Sequence, residues 1–205
     1  MDQKLKRWEL ALVLGLLAAV LSGGWLEREQ TELADSVIRL HVIANSDSRE
    51  DQELKLAVRD QVLDAVEKLY PEGVGREEAQ NILETSLLAL ARAGRAEVTR
   101  QGYDYPVTAS LESCWFPTKE YGDFALPAGE YTALRVVIGE GGGQNWWCVA
   151  FPPLCVGAAS ETVDQAVSAG RFTREQGALL TREDEGYVLK FKALELWGGL
   201  QRVLE

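Results

Sequence analysis

Asn145 to Cys155 reads NWWCVAFPPLC: two tryptophans, a phenylalanine, two prolines and two cysteines in eleven residues. Aromatic side chains bury large areas, and adjacent prolines remove two backbone donors and fix φ. Such a stretch is too apolar for a solvated loop. It is expected to be a strand that enters the core and leaves by a rigid bend. Upstream, Tyr131 to Ile138 alternates as a strand, and Gly139 to Gln144 (GEGGGQ) is expected to turn the chain back into the tryptophan strand as a hairpin. No helix start and no Lys-Ser/Thr pair follows these glycines, so a phosphate-cradling loop is disfavoured.

Further upstream, Val37 to Ala44 (VIRLHVIA) alternates with period two. Ile38, Leu40, Val42 and Ala44 form the core face, and Arg39 and His41 lie on the other. Asn45 to Ser48 is a turn cluster, and Ser48 with Asp51 has capping-box spacing. The helix that follows carries Leu54, Val58, Val62, Ala65 and Leu69 on one stripe and stops before Pro71. Asp51 and Lys55, four residues apart, are expected to pair on its outer face. A second helix is expected from Arg76 to Ala93, with Gly94 as its stop. Glu97 to Gln101 and Val107 to Glu112 then read as strands, and Phe116 to Gly129 as a connection punctuated by Pro and Gly. Beyond Cys155, Ser160 to Gly170 and Thr173 to Leu180 are short helical candidates. Tyr187 to Phe191 is strand-like, and a final amphipathic helix contains Leu194 and Leu200. The pattern predicts an α+β fold: an antiparallel or mixed sheet of about four to five strands, two helices on one face and a C-terminal helix.

The domain organisation follows from the N-terminus. Lys4, Lys6 and Arg7 precede an apolar run from Leu10 to Leu21, and Ser22-Gly23-Gly24 comes after it. That is the pattern of an export signal, with an uncleaved membrane anchor as the alternative. The expected division is a signal or anchor at 1–26, a polar tether at 27–36, a main domain at 37–156 and a C-terminal extension at 157–205 packing on it. The chain has 32 acidic against 21 basic residues and a net charge of −11. This argues against nucleic acid, whose binding needs clustered Lys and Arg, and against an anionic membrane surface. Membrane contact is expected only through the N-terminal segment.

His41 is the one histidine, so any thiol or hydroxyl nucleophile relying on a histidine base must use it. The sharpest catalytic reading is a cell-wall or thiol-dependent hydrolase with Cys148 as nucleophile and His41 as base. Against it, a lone mid-strand histidine is more often packed than catalytic. Neither CxxC nor HExxH spacing occurs, so no metal site or cofactor is expected. Export would admit a Cys148–Cys155 bridge; a reduced, buried Cys148 is the other reading, and Cys114 is odd in both. Asp47, Asp51 and Asp60 with Glu50 and Glu53 suit a solvated helix start better than a carboxylate pair across a cleft.

Two segments carry a family resemblance: Ile38 to Asp60 (IRLHVIANSDSREDQELKLAVRD) and Phe116 to Cys155 (FPTKEYGDFALPAGEYTALRVVIGEGGGQNWWCVAFPPLC). They closely resemble the stage II sporulation protein R family of endospore-forming bacteria, through IANSDS, FPTK-YG, PAGEY and NWWCV-FPPLC. The resemblance implies a signalling protein without enzymatic activity, exported across the forespore membrane into the space between two sporulation membranes. There it would activate a membrane-embedded aspartic protease that cleaves pro-sigma-E. The exposed parts of the two segments, Asn45, Asp47, Lys119, Tyr121, Asn145 and Trp146, are the expected partner contacts.

Overall fold

The computed structural model describes residues 10–15, 31–121, 124–154 and 162–181. Among them a four-stranded sheet has the order β2-β5-β1-β6, where β1 is Ile38–Ile43, β2 Val107–Phe116, β5 Gly129–Ile138 and β6 Asn145–Phe151. A separate ribbon pairs β3 (Lys119–Tyr121) with β4 (Phe124–Leu126). Helices α1 (Arg49–Leu69), α2 (Arg76–Arg100), α3 (Val163–Ser168) and α4 (Arg174–Leu180) accompany the strands, and residues 10–15 and 31–34 are also helical. The sheet is mixed, because β1 runs parallel to β5 and antiparallel to β6. The expected α+β class is what the chain adopts.

The stripe on α1 forms as read at Leu54, Val58 and Val62 and continues through Val66, which is buried where Ala65 and Leu69 are expected to be and are only partly so; the helix ends before Pro71. Leu54 and the buried valines meet Ala79, Leu83, Leu90 and Val98 of α2 and the even-numbered face of β1, Ile38, Leu40 and Val42. Alternation predicts that β1 buries one face, yet all six of its residues are buried. On the odd-numbered face a second core gathers Val37, Phe116, Phe124, Leu126, Tyr131, Val149 and Leu154, with Val163, Ala166, Phe172 and Leu180 from the α3–α4 segment. That face of β1 is roofed by the β3–β4 ribbon, which the Pro and Gly punctuation does not reveal. The 31–36 stretch, expected as a tether, also packs here: Leu33 is fully buried, and Gln176 Nε2 donates to the Glu32 carbonyl at 3.5 Å.

Three local expectations are corrected. The helix expected to stop at Gly94 runs on to Arg100, through residues expected to begin a strand. Gly94 is there for space: a Cβ at this position would lie 3.0 Å from Val107 Cγ1, 3.3 Å from Val58 Cγ1 and 3.5 Å from Val62 Cγ2. The glycine lets side chains of α1 and β2 pack directly against the α2 backbone. Next, β5 and β6 do not form a hairpin, since β1 lies between them. The Gly139–Gln144 loop steps over the end of β1: Gly142 N and Gly143 N donate to the carbonyls of Asn45 and Ala44, each at 3.0 Å. A Cβ on Gly143 would sit 2.2 Å from the Ser46 carbonyl oxygen, so only glycine fits that crossing. Last, Asp51 and Lys55 do not pair on an outer face, because the first turns of α1 are tucked under this loop and both residues are buried.

Of the N-terminal apolar run only 10–15 is described, as a helical turn with Leu10, Leu12, Val13 and Leu14 exposed. No described helix is long and apolar enough to cross a membrane. Cys155, the 187–191 strand and the terminal helix fall outside the described residues. Replacing Gly94 by Leu should overpack the α1–α2–β2 junction and cost about 1–3 kcal/mol, read as a lower urea midpoint with secondary structure retained.

Candidate functional site

The turn at the end of β1 builds the site from one side. Asn45 Oδ1 accepts from Glu140 N at 3.0 Å, and Asp47 Oδ1 accepts from Gln144 N at 2.7 Å. Both side chains therefore clamp the glycine loop. Asn45 Nδ2 also donates to Asp51 Oδ2 at 2.9 Å, and Ser48 Oγ caps α1 by accepting from Asp51 N at 3.1 Å. Asp51 does not close the expected capping box; its carboxylate serves Asn45 and Ser46 instead. Burial would raise its pKa, but hydrogen bonds from Ser46, Asn45, Tyr105 and Ser48 outweigh that and hold it below the ordinary value.

With the loop fixed, β6 enters the sheet so that Trp146 lies opposite Val42 and Trp147 opposite His41. The two indoles thus leave opposite faces of the strand. Between α1 and β3 they border an open groove of about 470 Å³. Gln52, Lys55 and Leu56 of α1 form one wall, Lys119, Glu120 and Tyr121 of β3 the other, and Gln144 to Trp147 the floor. Four expected contact residues, Lys119, Tyr121, Asn145 and Trp146, are brought together there. Asn45 and Asp47 are not; they hold the loop that carries the floor.

Lys55, Gln52 and Trp147 are wall and floor residues that the sequence reading does not single out. The signal for the first two is a pair of polar residues at the buried end of an amphipathic helix. Lys55 is 4% exposed, and its ammonium donates to Gln52 Oε1 and, at 3.0 Å, to the Gln144 carbonyl. Burial lowers its pKa, Asp47 partly restores it, and Arg59 adds to the lowering. Arg59 lies 4.4 Å over the Trp146 ring, a cation–π contact on the α1 side of the groove.

Behind the β3 wall lies Arg39, 0% exposed. Its guanidinium carbon is 4.1 Å from the Phe116 ring centroid, 4.9 Å from Tyr131 and 5.8 Å from Tyr121, and Nη2 donates to the Tyr121 hydroxyl. Burial lowers its pKa, opposed by Tyr121 and Tyr131. His41 stacks on Trp147 with centroids 3.9 Å apart and a 19° interplanar angle. Burial lowers the imidazole pKa, Asn145 and Glu112 oppose that, and Arg135 adds to it.

The arrangement bears directly on the thiol hydrolase. Cys148 pairs with Leu40 and packs in the helix-side core, whereas His41 stacks on the opposite face of the sheet. The sheet separates the two, and no dyad forms. Cys148 is also disulfide-bonded, while Cys114 carries a free thiol. Among the described residues no group of three or more His, Cys, Asp or Glu side chains could hold a metal ion.

Residues 34–161, which contain both walls and the floor, match the family model for stage II sporulation protein R. The chain belongs to the stage II sporulation protein R family. Over 129 residues it is 36% identical to the stage II sporulation protein R of Bacillus subtilis (strain 168), covering 63% of this chain and 58% of that protein. The chain thus spans a little over half the length of this relative. No solved structure matches. Family membership supports a role in sporulation.

Two predictions test the site's supports. Tyr121→Phe removes a hydrogen bond to a buried charge and should cost about 1.5–3 kcal/mol, seen as a lower thermal midpoint. His41, being neutral in the fold with a lowered pKa, binds its proton more weakly than in the unfolded chain. Its contribution is complete above the unfolded value of about 6.5 and is lost as pH falls through the folded value. Urea midpoints should therefore drop from about pH 7.5 to about pH 5.5, and His41→Phe should flatten that slope.

Proposed function

We propose that this chain is an exported intercompartmental sporulation signal. It activates a membrane-embedded aspartic protease of the mother cell, the sigma-E processing peptidase, by binding and not by catalysis, and the outcome is cleavage of pro-sigma-E. The observation that carries this reading is the family match across residues 34–161. The separation of His41 from Cys148 by the sheet supports binding over the thiol hydrolase. Activation then requires only that the signal bind the active arrangement of the protease more tightly than the inactive one. The working location is the intermembrane space, reached through the segment at 1–26, either cleaved or retained as an anchor.

The test is co-expression of the exported chain with the protease and its pro-sigma substrate, scoring cleavage for wild type, His41→Ala and Cys148→Ser. Cleavage should require the chain and survive both substitutions in variants that remain folded. Dependence on either side chain in a folded, bound variant would return the enzyme reading, and cleavage indifferent to the chain would remove the activator reading.

A further inference from the structure

The groove is lined by charge of the opposite sign to that of the chain as a whole. The chain carries an excess of eleven negative charges, yet two lysines line opposite walls of one groove and neither makes an ion pair among the described residues. Lys55 is the more telling. The residue is 4% exposed, and its ammonium has three N–H donors. Two go to neutral oxygens, those of Gln52 and Gln144. A buried cation is costly unless it is paired, and among the described residues no carboxylate pairs with this one: Asp47 favours its charged form only from a distance. Lys119 faces it from β3, beside Glu120, the one acidic residue of the lining. Arg59 sits just outside, over Trp146.

Between the lysines the floor is aromatic. Trp146 is 36% exposed, and Trp147 is held by its stack on His41. Hot spots in protein interfaces favour such anchored tryptophans flanked by charge.

We infer that the groove between α1 and β3 is the docking site for an acidic side chain of a protein partner. The partner's Asp or Glu carboxylate lies between the Lys55 and Lys119 ammoniums, and an adjacent apolar residue lies against Trp146 and Trp147. The open shape and the indoles bordering it suit a peptide segment with a carboxylate and an apolar neighbour. This deepens the activator reading and rests on it for the identity of the partner, but the groove itself is tested separately.

The groove is tested with the full chain, ¹⁵N-labelled, and two capped tripeptides: leucine–glutamate–leucine and leucine–glutamine–leucine. The glutamate peptide should shift the indole N–H signals of Trp146 and Trp147, the glutamine peptide should leave them in place, and Lys119→Glu should abolish the shift. Equal response to both peptides, or none, overturns the inference. In parallel, the full-length protease in detergent is titrated with wild type, Lys119→Glu, Lys55→Gln and, as a control on an exposed part of α1, Arg49→Glu. Each groove variant, with its fold checked by circular dichroism, should weaken binding at least about tenfold and reduce its salt dependence, with the control unchanged. Unchanged affinity of both groove variants would overturn the groove while leaving the activator reading intact. Failure of the wild type to bind would remove the activator reading and leave the peptides to decide the groove. Self-association of the chain that Lys119→Glu abolishes, without a peptide response, would place a second copy there and overturn the proposal.

Discussion

A guanidinium shut away from water, with three aromatic rings in place of a carboxylate, lies at the centre of the second core. Isolating such a charge is expensive, and Arg39 offsets the cost through the faces of Phe116 and Tyr131 and the ring and hydroxyl of Tyr121. Those rings come from β2, β5 and β3, so one side chain of β1 binds four elements together. The β3–β4 ribbon is only three residues on each strand, too short to be stable alone. It has a defined position because Arg39 and the second core give it one. Tyr121, held by Arg39, is then a fixed wall of the groove.

The same constraint explains why β1 is central. A strand with one wet face would leave Arg39 and His41 in solvent, with nothing to organise the ribbon. Buried on both faces, β1 divides two cores: aliphatic packing with the long helices on one side, aromatic and cationic stacking on the other. Cys148 belongs to the first, and His41 to the second. This division, set by the two-residue period of a strand, is what separates a thiol from the imidazole that would have had to activate it.

How far the sequence discloses this depends on the range of the interaction. The β1 alternation, the α1 stripe and its Ser48 cap are local, and each is readable from a dozen residues. Gly94 looks like a helix stop because glycine is common there; the reason for it, Val58 and Val107, is distant in the chain. The glycine loop reads as a hairpin because β5 and β6 are adjacent in sequence, and nothing local says that β1 will be inserted between them. Polar residues at 39 and 41 look like a solvent face until the ribbon and the α3–α4 segment cover them. Of the expected contact residues, those on β3 and β6 converge on the groove. Asn45 and Asp47 are absorbed by the loop, since a turn-forming side chain and a contacting one have the same composition.

The two roles are nonetheless linked by a continuous path. Asp47 fixes the Gln144 amide, and the Gln144 carbonyl receives the Lys55 ammonium. The carboxylate of Asp47 also favours the charged form of Lys55 without pairing with it. A turn at the end of β1 thereby positions a cation across the groove from Lys119, while Arg39, two residues back from His41 on the same strand, positions Tyr121 on the opposite wall. Both walls are set from one strand. A long uninterrupted motif around β1 is what such an arrangement requires, because the same few residues must pack the core, clamp the crossing loop and set the charges that line the groove.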